Sequence, residues 1–276
     1  MKILKNGSYT IYGVALIGFL IIVSTTLTNS VIPHEKNNTS FAKNITWLNS
    51  PLDTINSMAQ KHGIKEKLIV IDPGHGGDDP GAIYPHNNTD PKLIEVKEKD
   101  FNLDISLKLY NLLKNSGIRV KMTRQDDRTL KLQDRGELAN DLNASLFVSI
   151  HNDSYKISSR NGTSTYFNPS INAASYGITG KRAAQLIQKE LVKELGTIDI
   201  EVKELTPKMM YSSTKMPIVL AEIAYISNES DRQHLSTEEF RMKAAQGLYD
   251  GIIKILNEMV IGDGAPPAQP RKDFLL

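Results

Sequence analysis

The stretch "IVIDPGHGGDDPGA", residues 69–82, poses the question on which the fold turns. Leu68 to Ile71 are all apolar and run straight into Asp72-Pro73-Gly74-His75-Gly76-Gly77. An apolar run without alternation is what a strand buried on both faces looks like. It ends in a segment almost without side chains, apart from one imidazole. Such a loop either cradles phosphate or holds a metal. The phosphate reading fails on detail: there is no G-K-[ST] and no G-x-G-x-x-G, and a long polar loop follows in place of a helix. The glycines are better read as letting backbone and substrate come close to a metal at His75.

Further strand-like runs lie at 118–123, 145–150, 162–167 and 217–224, besides 68–72 itself. Helical patterns lie between them. Residues 99–115 carry Phe101, Ile105, Leu109, Leu112 and Leu113 on one stripe, and Gly117 stops the helix before the next strand. Residues 130–142, 179–195 and 237–259 are the other helices, with His234 on a short helix of its own. Strands alternating with helices predict an α/β domain over residues 66–260, its sheet covered on both faces.

A chain of 276 residues has room for one sizeable domain with appendages. Its formal charge of +2 and sparse aromatics argue against nucleic acid as a partner. The chain has no cysteine, which removes disulfides, thiolate zinc sites and cysteine nucleophiles together. Any metal must then sit on histidine and carboxylates. Lys2 and Lys5 precede an apolar heart from Ile11 to Val23, so residues 1–28 read as a membrane anchor or a signal peptide. No A-x-A-like cleavage site follows directly, which favours the anchor. Lysines before the segment and none just after it place the rest of the chain outside the cytoplasmic membrane. Residues 29–65 are a polar stalk with a short helix around 53–62, and residues 261–276 a disordered tail.

In open α/β sheets the ligand crevice lies beyond the carboxyl ends of the strands. His75 follows the first strand, His151 follows "SLFVSI", and Glu222 lies inside "PIVLAEIAYISN". Either histidine alone reads as an ordinary loop residue; two at equivalent strand ends, in a chain with six histidines, read as ligands. Glu222 is flanked by Leu220, Ala221, Ile223 and Ala224, and a carboxylate in such surroundings needs a partner. The bland partner is an arginine such as Arg135. A third ligand could be Glu95 or Glu98, and composition does not choose between them.

Six segments together are more specific: "IDPGHGGDDPGA", "EKDFNLDISLKL", "MTRQDD", "LQDRGELAN", "FVSIHND" and "VLAEIAYISNESD". Their order and spacing resemble the zinc-dependent N-acetylmuramoyl-L-alanine amidases of type 3, over about residues 67–258. The resemblance implies a three-layer domain, a twisted mixed sheet of about six strands with helices on both faces. It implies one Zn2+ on His75, Glu98 and His151, which selects Glu98 over Glu95, and Glu222 as the catalytic carboxylate. Arg135, Asn152 and Asn228 become candidate substrate-binding groups. The implied substrate is peptidoglycan, glycan strand and stem peptide, cut at the amide between N-acetylmuramic acid and L-alanine by zinc-activated water. Ala224 and Tyr225 stand where the family has Gly and Phe. Some relatives block the zinc with an extra helix that a partner protein removes; "NDSYKISSRNG" is too short for one, which implies an open site without such an activator. One catalytic domain on an anchor, without a wall-binding module, resembles sporulation-type amidases. The alternatives are a zinc hydrolase of another wall bond, peptidase or deacetylase, and a tethered wall-binding protein without activity.

Overall fold

A computed structural model describes residues 62–85, 95–169, 173–206 and 214–263; the expected anchor and nearly all of the stalk lie outside them. In chain order the elements are β1 (Leu68–Pro73), β2 (Ile83–Tyr84), β3 (Val96–Lys97), α1 (Glu98–Asn115), β4 (Arg119–Met122), α2 (Leu132–Asp141) and β5 (Leu146–Asp153). There follow β6 (Thr163–Phe167), α3 (Ala173–Tyr176), α4 (Gly180–Leu195), β7 (Asp199–Glu204), β8 (Ile218–Tyr225), α5 (Glu229–Ser236) and α6 (Glu238–Asp263). Helix α6 thus continues into the start of the segment expected to be tail.

Six strands form one sheet in the order β4-β1-β5-β8-β6-β7. Strands β4, β1, β5 and β8 run parallel, β6 is antiparallel to β8, and β7 is parallel to β6. The sheet is therefore mixed, as the resemblance implies. Every residue of β1 and β8 is buried, which is why both read as apolar runs, interrupted only by Asp72 in β1 and Glu222 in β8. Strand β7 was not foreseen. Its sequence, DIEVKE, alternates apolar with charged at an edge, and its exposed positions give it no continuous apolar signal.

Alternate side chains of one strand go to opposite faces. Ile69 and Ile71 join the larger core with Ile105 and Leu109 of α1, Ile187 and Leu191 of α4, and Leu248 and Ile252 of α6. Val70 joins the smaller core with Phe147, Ile218, Leu220 and Ala139 of α2. Helices α1, α4 and α6 thus cover one face and α2 the other, giving three layers around the sheet.

Local chemistry sets the helix ends. Thr179 caps α4 by accepting a hydrogen bond from the Arg182 amide at 3.0 Å, and Gly196 closes that helix in the left-handed region. Asn228 caps α5 in the same way, accepting from the Asp231 amide. Among the described residues no helix is long and apolar enough to cross a membrane.

Candidate active site

Because β1, β4, β5 and β8 are parallel, their carboxyl ends share one edge of the sheet. His75 leaves β1 there, His151 lies near the end of β5 and Glu222 near the end of β8. His151 and Glu222 are partners in register on neighbouring strands. Glu98, the first residue of α1, comes to the same edge.

His75 Nε2 lies 3.1 Å from Glu98 Oε2, and His151 Nδ1 lies 3.0 Å from Glu98 Oε1. The two imidazoles meet edge to face, 4.8 Å between centroids. One ligand atom from each of the three residues lies within 4.8 Å of the others, a group able to hold a metal ion. Glu95 is not part of it; its carboxylate pairs with Lys97 at 3.3 Å.

Glu98 is set in place with little freedom. Oε1 also accepts from the Asn152 amide and from Asn102 Nδ2, each at 3.1 Å, and Oε2 accepts from the Ala82 amide at 2.9 Å. Burial pushes this carboxyl up, but the hydrogen bonds and charge of His151 and His75 outweigh burial and hold it well below the usual carboxylate range. For His75, burial pulls the imidazole down, while Glu98 and Asp79 together raise it above its ordinary value. Asp79 Oδ2 takes the hydrogen on His75 Nδ1 at 2.9 Å, which turns Nε2 toward Glu98. His75 has φ of +60°, a backbone state that costs a non-glycine residue on the order of 1 kcal/mol.

The glycines have steric reasons. A Cβ on Gly74 would lie 2.2 Å from Cε1 of His151, and one on Gly81 would lie 2.5 Å from Glu98 Oε2. Gly74→Ala is therefore expected to displace the His151 ring and weaken divalent-metal binding by about 10–100-fold, the usual effect of disturbing a ligand's supports. Chelator competition on the purified variant checks this; an unchanged affinity would mean that the ring relocates freely.

Two buried arginines hold the loop from below. Arg124 donates to the carbonyls of Pro73, Gly74 and Lys99 at 2.9–3.0 Å. Arg135 donates to Asp72 and to the carbonyls of Pro73 and His75 at 2.7–2.8 Å. Arg135 therefore pairs with Asp72, not with Glu222, and its burial turns it away from the substrate role expected of it. Arg135→Met leaves Asp72 charged and buried, and stability is expected to fall by about 3–5 kcal/mol. Urea unfolding measures it; a loss under about 1 kcal/mol would mean that Thr123 and Ser149, which also bond Asp72, suffice.

The other expected substrate groups are likewise part of the framework. The Asn152 side chain is buried and donates to Asn102 Oδ1 at 2.8 Å. Asn228 caps α5 and donates to the Ser158 carbonyl at 2.7 Å, tying down the β5–β6 loop. Asp79, Asn102 and Arg124 were missed as site residues. The four-residue spacings of His75 with Asp79 and of Glu98 with Asn102 were usable signals; Arg124 stands in the quoted MTRQDD, but the carbonyls of Pro73, Gly74 and Lys99 that it bonds are distant in sequence.

Glu222 is buried, and its Oε2 has no hydrogen-bond partner. Burial first, then the charges of Glu98 and Asp153, push its carboxyl well above the usual range. Its neighbour in register on β6 is Ser164, also buried, whose hydroxyl lies beside the Tyr166 phenol. A buried carboxyl with one unbonded oxygen, in register with His151, is a candidate for proton transfer.

Comparison with known proteins agrees with this geometry. Residues 69–254 match the N-acetylmuramoyl-L-alanine amidase family Amidase_3. The amidase LytC of Bacillus subtilis (strain 168) is 38% identical over 193 residues, 70% of this chain but only 36% of LytC. The catalytic domain of the amidase CwlV from Bacillus (Paenibacillus) polymyxa var. colistinus is 35% identical, with a TM-score of 0.59 over 68% of this chain and 97% of that one. CwlD amidase from Clostridioides difficile, solved in complex with the GerS lipoprotein, is 34% identical with a TM-score of 0.60, covering 69% of this chain and 98% of that one. By fold, motifs and relatives alike, the chain belongs to the N-acetylmuramoyl-L-alanine amidase family, a family of cell-wall hydrolases.

Proposed function

We propose that the chain is a zinc amidase of peptidoglycan, acting outside the cytoplasmic membrane on the amide between the lactyl carbonyl of N-acetylmuramic acid and L-alanine. The observation that carries this is the meeting of His75, Glu98 and His151 beside the unpaired carboxylate of Glu222. Two imidazoles and one carboxylate are the donor set of a catalytic zinc, with a position left for water. The spacing also fits. One donor atom from each of the three residues lies within 4.8 Å of the others, so His75, Glu98 and His151 would be able to hold one ion together. Zinc held there would supply a Lewis acid that activates a water and polarises the scissile carbonyl.

The chain's own residues do the rest. Asp79 fixes the His75 tautomer, and Asn102 and Asn152 fix Glu98, so the ligands need no reordering. Glu222 takes the proton as water adds to the carbonyl, then delivers it to the alanine nitrogen as the C–N bond breaks. Its burial raises its proton affinity, while a dication nearby opposes that rise, so one carboxyl serves as base and then as acid.

The apolar segment Ile11–Val23 supports attachment to the outer membrane face. Residues 154–162, between β5 and β6, contain no helix, which supports a site that needs no partner to withdraw a plug.

Digestion of purified peptidoglycan by the zinc-loaded full chain tests the reading. New L-alanine amino termini that vanish with a chelator are the expected result. Release of acetate or of D-amino acids instead would establish the other zinc hydrolase. Wall binding that is indifferent to chelation, with no product, would establish the non-catalytic alternative.

A further inference from the structure

Glu222 fixes a direction as well as a proton. On the reading above, it protonates the departing alanine nitrogen, so the leaving peptide lies on the Glu222 side of the site and the sugar on the other. The residues beyond Glu222, away from the three metal-binding groups, are therefore what the peptide meets. Strand register names them. Ser164 pairs with Glu222, Tyr166 lies two residues further along the same face of β6, and Lys203 of β7 is the register partner of Tyr166. These four side chains thus form a row across three strands on one face of the sheet.

The row is open and cationic at its far end. Tyr166 and Lys203 are partly exposed, and the Lys203 ammonium sits 6.0 Å from the Tyr166 ring centre. Above it, the β5–β6 loop brings Arg160, whose guanidinium lies over the rings of Tyr155 at 4.5 Å and Tyr225 at 5.5 Å. Arg160 also bonds the Tyr225 hydroxyl and lies within the field of Asp153, and the guanidinium fork has five donors, more than that one bond uses. The charges of Glu222, Asp153 and Arg160 all reach the Tyr166 phenol, so the three groups lie close to it. Asp153, the anion on this side, has Oδ1 engaged by the Ser154 amide at 2.7 Å.

We propose that Tyr166, flanked by Lys203 and Arg160, is the subsite for a free carboxylate on the leaving peptide, and that the chain prefers stem peptides whose residue after L-alanine is anionic. The ring floors the peptide backbone, and the two cations read the charge. The proposal rests on the assignment of Glu222 as proton carrier.

The test uses the zinc-loaded full chain and two soluble muramoyl-peptide substrates. They are identical except that the residue after L-alanine carries a carboxylate in one and a carboxamide in the other. The acid substrate is expected to be favoured roughly tenfold in kcat/KM. Lys203→Gln and Arg160→Gln each lower that preference by roughly threefold, mainly through KM, the scale of an exposed ion pair. Added salt shrinks the preference in the parent as well. Equal treatment of the two substrates by the parent overturns the subsite, as does a variant that slows both substrates alike. Glu222→Gln separates the two layers of argument. If it is inactive while the parent shows no preference, the subsite alone fails; if it remains active, the proton carrier fails and the subsite loses its direction.

Discussion

A Glu222→Gln protein is expected to bind divalent metal as the parent does and to lose about a thousandfold or more in kcat. Proton transfer by a positioned carboxyl contributes about 10²–10⁴-fold, and an amide can neither accept nor deliver that proton. The substitution is nearly isosteric, and Oε2 of Glu222 has no hydrogen bond to lose. Burial and the nearby charges of Glu98 and Asp153 work against the ionised carboxyl, so its removal should hold or raise the melting temperature. This pairing of a dead enzyme with an equally stable fold is what separates a chemical role from a structural one. Steady-state turnover, metal content and a thermal melt on one preparation read all three. Turnover within tenfold of the parent would remove Glu222 from the mechanism.

Glu98→Gln is expected to act differently, losing metal, activity and some stability together. Glu98 accepts hydrogen bonds from Asn152, Asn102 and Ala82 in addition to facing His75 and His151. An amide NH2 in that place turns a donor toward donors, and an unsatisfied buried group costs about 1–3 kcal/mol. Metal affinity is expected to fall by more than the 10–100-fold typical of a ligand's supporting residues, because here the ligand itself changes. Isothermal titration with zinc, beside a melt of the metal-free variant, tests both halves. Chelation of the parent is the companion measurement. A ligand that binds only the folded state adds about 2.7 kcal/mol at a hundredfold excess over Kd, so the chelated parent should melt earlier. A variant that keeps its zinc would move the ligand assignment away from Glu98.

The parallel core was legible because burial on both faces leaves a plain mark. Strands β1, β5 and β8 have almost no polar side chain before their final residues, and the polar groups that follow are the ones that matter. His75 and His151 stood out for that reason. Strand β7 did not, because an edge strand keeps its charged side chains and its pattern resembles a loop. The choice between Glu95 and Glu98 was also closed to composition: the two are three residues apart, and only the start of α1 turns one inward. Arg135 shows a different limit. Its type suggested substrate, yet its task is to bond main-chain oxygens of the His75 loop, and a carbonyl has no letter in the sequence. Asn152 and Asn228 likewise have framework partners, Asn102 and the Ser158 carbonyl, that lie far off in sequence.

That last point reaches beyond the site. The His75 loop carries few side chains of its own, and what shapes it is a pair of guanidiniums brought from β4 and α2. Its conformation is therefore stored elsewhere in the chain, as a mould stores the shape of a casting. Any loosening of those two neighbours is therefore expected to reach the catalytic edge before it reaches the buried strands. Activity should fade at temperatures where the sheet, followed by circular dichroism, is still whole.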